Sequence, residues 1–123
     1  MDWENSVLFD INDLYDFEPE VLESLDRIDR RTAVRGVLAS RIRRAYSGLG
    51  ATDILSRIKN PEVLREPSIF LNLSLVFNAN STIGGIYAQK ASDYSERFEA
   101  SIRSALALLE FEGLEKTGVL IVR

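Results

Sequence analysis

Between Tyr87 and Leu109 an apolar or small residue returns at offsets 0, 4, 7, 11, 15, 18, 19 and 22: Tyr87, Ala91, Tyr94, Phe98, Ile102, Ala105, Leu106 and Leu109. A period near 3.6 held for that long predicts an amphipathic helix. At the helical rise, about 24 residues make a rod of roughly 35 Å. Any other element must pack beside it. The opposite face carries Gln89, Lys90, Asp93, Glu96, Arg97 and Arg103 and is expected to meet water. Gly113 is the expected stop.

The same reasoning predicts a helix from about Asp29 to Tyr46, where Val34, Val37, Leu38, Ile42, Ala45 and Tyr46 form one stripe. Gly36 inside it costs about 1 kcal/mol relative to alanine, and Gly48 and Gly50 are expected to end it. Thr52 and Asp53 suit a short turn over Ile54, Leu55 and Ile58. Asn60-Pro61-Glu62 reads as a helix start, with Asn60 as the cap and Pro61 in the first turn. Glu66-Pro67 is expected to restart or kink that helix. Ser68 to Asn78 then reads as a buried helix, because Leu71 and Leu75 make it apolar on nearly every side. Asn78 to Gly85 is a loop.

The expected fold class is therefore mainly α, a small helical bundle of about four helices with an extended N-terminal arm and a C-terminal β-strand-like tail. The boundaries are an acidic arm over 1–26, a helical bundle domain over 27–112 and an extended tail over 113–123. A chain of 123 residues, 46% hydrophobic, suffices for one core.

Charge is distributed in blocks. The net charge is only −4, yet the first 26 residues hold nine acids and no Lys or Arg. Residues 27–44 then hold seven arginines (27, 30, 31, 35, 41, 43 and 44) against the single acid Asp29. The remainder is nearly neutral. The acidic opening lacks the basic and apolar regions of a secretory signal, and no apolar stretch approaches a membrane span. The expectation is a soluble protein with no membrane partner.

Composition narrows the chemistry. With no His and no Cys, triads, thiol nucleophiles, disulfides and zinc sites built on these residues are excluded. Asp10, Asp13, Asp16, Glu18 and Glu20 are oxygen ligands in principle, but the calcium-loop pattern with its turn glycine is absent. They read as a solvated acidic arm. Ser47-Gly48-Leu49-Gly50 follows a helix and not a strand, so it fits no phosphate loop. No catalytic residue, cofactor or metal is expected, and the chain reads as a non-enzyme.

Three features point to binding instead. Arg30, Arg31, Arg35, Arg41 and Arg44 lie near helical spacings, and guanidinium pairs carboxylate or phosphate bidentately. They are candidate subunit or partner contacts. Val119, Leu120, Ile121 and Val122 are apolar with no hairpin partner nearby, a candidate for strand addition to another chain. Apolar residues at 8, 9, 11, 14, 15 and 17 keep no clean period, so the arm reads as extended or loosely turned, and Trp3, Phe9, Tyr15 and Phe17 are candidate arm contacts. A nucleic-acid-binding regulator using the arginine helix 27–44 is the alternative, weakened by a pI of about 4.9. A carboxylate-only enzyme is the third reading.

Two local patterns carry a resemblance. One is Asp13-Leu14-Tyr15 with Pro19-Glu20-Val21-Leu22 running into the first helix. The other is Leu64-Arg65-Glu66-Pro67-Ser68-Ile69-Phe70-Leu71-Asn72-Leu73-Ser74-Leu75-Val76-Phe77, followed after a polar loop by Ala88-Gln89-Lys90-Ala91-Ser92-Asp93-Tyr94-Ser95-Glu96-Arg97-Phe98. Over about residues 10–110 the chain resembles the head-to-tail connector, or neck adaptor, proteins of tailed bacteriophages. The resemblance implies a structural virion protein in the neck region, assembled in the host cytoplasm as a twelvefold ring. It further implies the portal protein and the next neck or tail-completion protein as partners, with channel DNA contacted non-specifically at most.

Overall fold

The predicted rod is present as α4 (Gly85–Leu108), 24 residues long, with Tyr94, Phe98, Ile102, Ala105 and Leu106 buried along one side. The computed structural model describes residues 1–114, and within them the architecture is a small helical bundle. Its other helices are α1 (Ile11–Phe17), α2 (Arg31–Ala45) and α3 (Arg65–Ala79). Short 3-10 turns connect them. Val119–Val122 and the strand-like tail expected there lie outside the described residues.

Helix α3 is the centre. Of its 15 residues, ten are buried, including Ser68, Asn72 and Ser74. It folds back on α4 through stacked rings: Phe77 lies 6.1 Å from Tyr87 and 5.9 Å from Tyr94, and Phe70 lies 6.2 Å from Tyr94. Pro61 opens a 3-10 turn that passes directly into α3. Pro67 sits in the first turn of α3, where its missing N–H breaks no helical bond, so α3 starts at Arg65 and runs through Pro67 without the restart expected at Glu66-Pro67. Helix α2 covers α3 with the expected stripe, Val34, Leu38, Ile42 and Ala45.

A buried amide cannot stay unpaired without cost, and Asn72 shows where its partners are. Its Nδ2 donates to the Ile28 carbonyl at 2.7 Å, and its Oδ1 accepts from the Arg30 N–H at 2.8 Å. These bonds clamp the turn that leads into α2. That turn passes through Arg27, whose φ of 55° is the one left-handed value at a non-glycine among the described residues.

Three expectations need correction. The N-terminal segment is not an extended arm. Asp10 and Asp13 form a reciprocal capping box, with the Asp10 N–H donating to Asp13 and Asp10 accepting from the Asn12 N–H, and α1 follows. Seven residues are too few for a 3.6 period to stand out from an acid-rich run. Trp3, Leu8, Phe9, Leu14 and Leu22 are buried in the common core, so the segment is part of the bundle.

Asn60 does not cap the turn after it. Its side chain donates to the Leu108 carbonyl and accepts from the Glu110 N–H, both at 2.8 Å, holding the end of α4. Gly113 does not stop α4, which ends at Leu108. It lies in the turn joining Phe111 to Leu114, with φ 73°. There the chain pairs locally with residues far away in sequence, through Lys59 N–H to Glu110 O and Glu112 N–H to Arg57 O.

Replacing Asn72 with leucine keeps its volume but strands one donor and one acceptor. The expected loss is about 2 kcal/mol of unfolding free energy, read from urea denaturation. Hydrogen exchange at the Arg30 amide should accelerate in the same variant.

Candidate functional site

The arginine run does not form one surface. Between Arg31 and Arg44 the helical rise places about 20 Å, and the guanidinium groups gather in two clusters. At the start of α2, Arg31 pairs with Asp29 through Nε and Nη2, each at 3.0 Å. This hydrogen bonding holds the Asp29 carboxyl below its ordinary range, and Arg35 adds a weaker attraction. The Nε atoms of Arg30 and Arg35 are buried without a partner among the described residues. Arg35 and Arg31 border Leu8 and Phe9.

The second cluster joins α2 to α4. Arg41 lies over the Phe98 ring, 5.4 Å from its centre, and grips Glu99 with Nη1 at 3.0 Å and Nη2 at 2.5 Å. The Glu99 carboxyl is pulled down chiefly by that hydrogen bonding, with Arg103 and Arg44 attracting it through space. Arg41 thus contacts the carboxylate directly, Arg103 shares its cleft, and Arg44 acts on it through space. Buried Ile102 and Leu106 border them. Arg41 and Arg44, i and i+3 on one helix, were legible as a pair. Glu99 and Arg103 were not, because they lie on the other side of the chain's hairpin.

The acids of the first 26 residues pair elsewhere. Asp13 accepts from Arg65 at 2.7 Å, and this pairing, with the capping bond to the Asp10 N–H as the larger cause, holds its carboxyl low. Glu18, expected to be solvated, is buried between Lys90 and Tyr94. Tyr94 Oη donates to Glu18 Oε2 at 3.1 Å, and the Lys90 ammonium binds both carboxylate oxygens while lying over the Phe77 ring. No ion pair among the described residues joins an acid of 1–26 to an arginine of 27–44. The blocks nonetheless come near each other: Asp10 attracts Arg31 through space, and Asp2 and Glu4 line one cleft with Arg43.

The predicted arm contacts fare differently from one another. Trp3 and Phe9 are buried in their own chain's core, and Tyr15 is half-buried, so none of these three offers a free aromatic face. Phe17 keeps an exposed edge while its ring meets Phe70 edge-on at 5.3 Å. An open groove of about 480 Å³ runs between α3 and α4, lined by Ser74, Leu75, Asn78, Ala88, Ala91 and Ser92. Its small side chains offer shape and weak hydrogen bonding, with no charged group. Among the described residues no cluster of acids can hold a metal ion, and no helix is long and apolar enough to cross a membrane.

No protein-family model matches this chain, and comparison with curated proteins and with solved structures finds no match.

Two outcomes follow from the buried Glu18 group. Lys90→Met leaves the carboxylate without its counter-ion and should cost about 3 kcal/mol in urea unfolding. Adding Glu18→Gln, which keeps an acceptor for Tyr94, should recover most of that loss. Burial, reinforced by the Glu18 charge and hydrogen bond, raises the Tyr94 phenol above its ordinary 10.0, and burial raises Tyr46 as well. Both contributions are complete below pH 10.0 and fade as pH rises through the folded-state values. Urea midpoints should therefore fall above that pH, and less steeply in Tyr94→Phe.

Proposed function

We propose that this protein is a structural component of a tailed-phage virion, a head-to-tail connector that forms a ring between the portal and the next neck or tail component and extends the DNA channel. The observation that carries the reading is charge segregation. Among the described residues no ion pair joins an acid of the first block to an arginine of α2, although Asp2 and Glu4 share a cleft with Arg43 and Asp10 attracts Arg31. A subunit that must pair one surface with a different surface of its neighbour needs that polarity, because cyclic rings are built on heterologous contacts. The resemblance of residues 10–110 to neck adaptors supplies the place in the virion and the twelvefold order. On this reading the role is assembly without catalysis, and no cofactor is involved.

The arginine helix, on which Arg43 and Arg44 are exposed, favours a second reading, a nucleic-acid-binding regulator. A net charge of −4 and a pI of about 4.9 count against it.

Electron microscopy of the purified protein, alone and with portal, separates the two. Ring particles or portal binding, with no retarded DNA band at physiological salt, is the expected result. A monomer that ignores portal and retards DNA in a steeply salt-dependent way would replace this reading with the regulator.

A further inference from the structure

The ring reading leaves open which surfaces meet, and the pairing pattern narrows them. We infer that the patch formed by Arg41, Arg44 and Arg103 around Glu99 receives the acidic 16–26 segment of a second copy of this chain. This inference rests on the ring reading.

The patch has cations in excess. Glu99 satisfies Arg41, whereas Arg44 and Arg103 are exposed and make no ion pair among the described residues. Both nonetheless lie close enough to attract Glu99. Their planar guanidiniums suit carboxylates, which they bind two bonds at a time. Buried Ile102 and Leu106 line the cleft beside Arg41 and Arg103.

The acidic segment has the complementary shortage. Asp16, Glu20, Glu23 and Asp26 are exposed and have no ion pair among the described residues. The segment is nonetheless held to its own body: Asp13 is bound to Arg65, Glu18 to Lys90, and Leu22 is buried. Among the described residues none of Asp16, Glu20, Glu23 and Asp26 forms an ion pair with Arg41, Arg44 or Arg103 of the same chain. The patch of one copy and the segment of the next satisfy each other without new folding, which lowers the entropic cost of docking. The patch and the segment are different surfaces, so each added copy leaves one of each open until the ring closes. A nucleic-acid backbone also fits arginines, but it would be repelled by the acids every copy carries.

Charge reversal tests the pairing. Two variants are made, Arg44→Glu/Arg103→Glu and Glu20→Arg/Glu23→Arg, and both are checked for wild-type helical content and melting temperature. Each alone should assemble at least about tenfold more weakly in sedimentation, because like charges then face each other. Mixed together they should co-assemble, since each reversed surface finds its complement on the other variant. Rings that persist in Arg44→Glu/Arg103→Glu, or two assembly-defective variants that do not rescue each other, would overturn this interface while leaving the ring reading intact. A wild-type protein that forms no ring, with or without portal, would remove the ring reading itself.

Discussion

Ten of the fifteen residues of α3 are buried, so this helix has almost no face to offer water. A helix of that kind must be enclosed, and in a chain of 123 residues the enclosure has to come from everything else. The long helix α4 takes one side through the stack of Phe70, Phe77, Tyr87 and Tyr94. Helix α2 takes another with Val34, Leu38 and Ile42, and the first block adds Leu14 and Leu22. The acidic segment is thus recruited into the core by its apolar residues, whatever its charge. Asn72 then sets the register of the cover, because its amide is satisfied only when Ile28 and Arg30 arrive at the right place.

That enclosure explains why the acids at α1 pair away from the arginines of α2. Once Leu14 and Leu22 are seated, α1 lies against α3, and the bases within reach of its acids are Arg65 and Lys90. The arginines of α2 project from a helix whose apolar stripe faces the same core from elsewhere, and their acid partners are Asp29 and Glu99. The acids of α1 and the arginines of α2 thus find different ion-pair partners, although the start of the chain lies beside α2, where Asp2 and Glu4 line one cleft with Arg43. For a subunit that binds its neighbour head to tail, this arrangement provides orientation and selectivity more than raw affinity.

The helices with long stripes were legible in advance. Tyr87 to Leu109 and Val34 to Tyr46 repeat often enough for the 3.6 period to declare itself, and the all-round apolarity of Ser68 to Asn78 identified the buried helix. Short elements were not. In α1, Ile11, Leu14 and Tyr15 mark a single turn, and the capping pair Asp10 and Asp13 looked like two more acids in an acidic run. Asn60 had the residue type and position of a cap, yet the carbonyl and amide at the end of α4 made better use of its side chain. At the candidate site, Arg41 and Arg44 were legible from their spacing, while Glu99 and Arg103 became partners only when two helices distant in sequence were brought side by side.

The sequence by itself determined where the long helices lie, which of their faces turn inward, and that a strongly acidic block precedes a strongly basic one. Those properties depend on local geometry, since a helix repeats every 3.6 residues whatever surrounds it. Only the tertiary structure decided that the acidic block is a working part of the core and that Glu18 is spent on Lys90. It also decided that the α2 arginines divide into two clusters, the nearer members Arg35 and Arg41 about 9 Å apart along the helix. Ion pairing requires contact distances of a few ångströms, and the identity of the group at that distance is set by how helices pack.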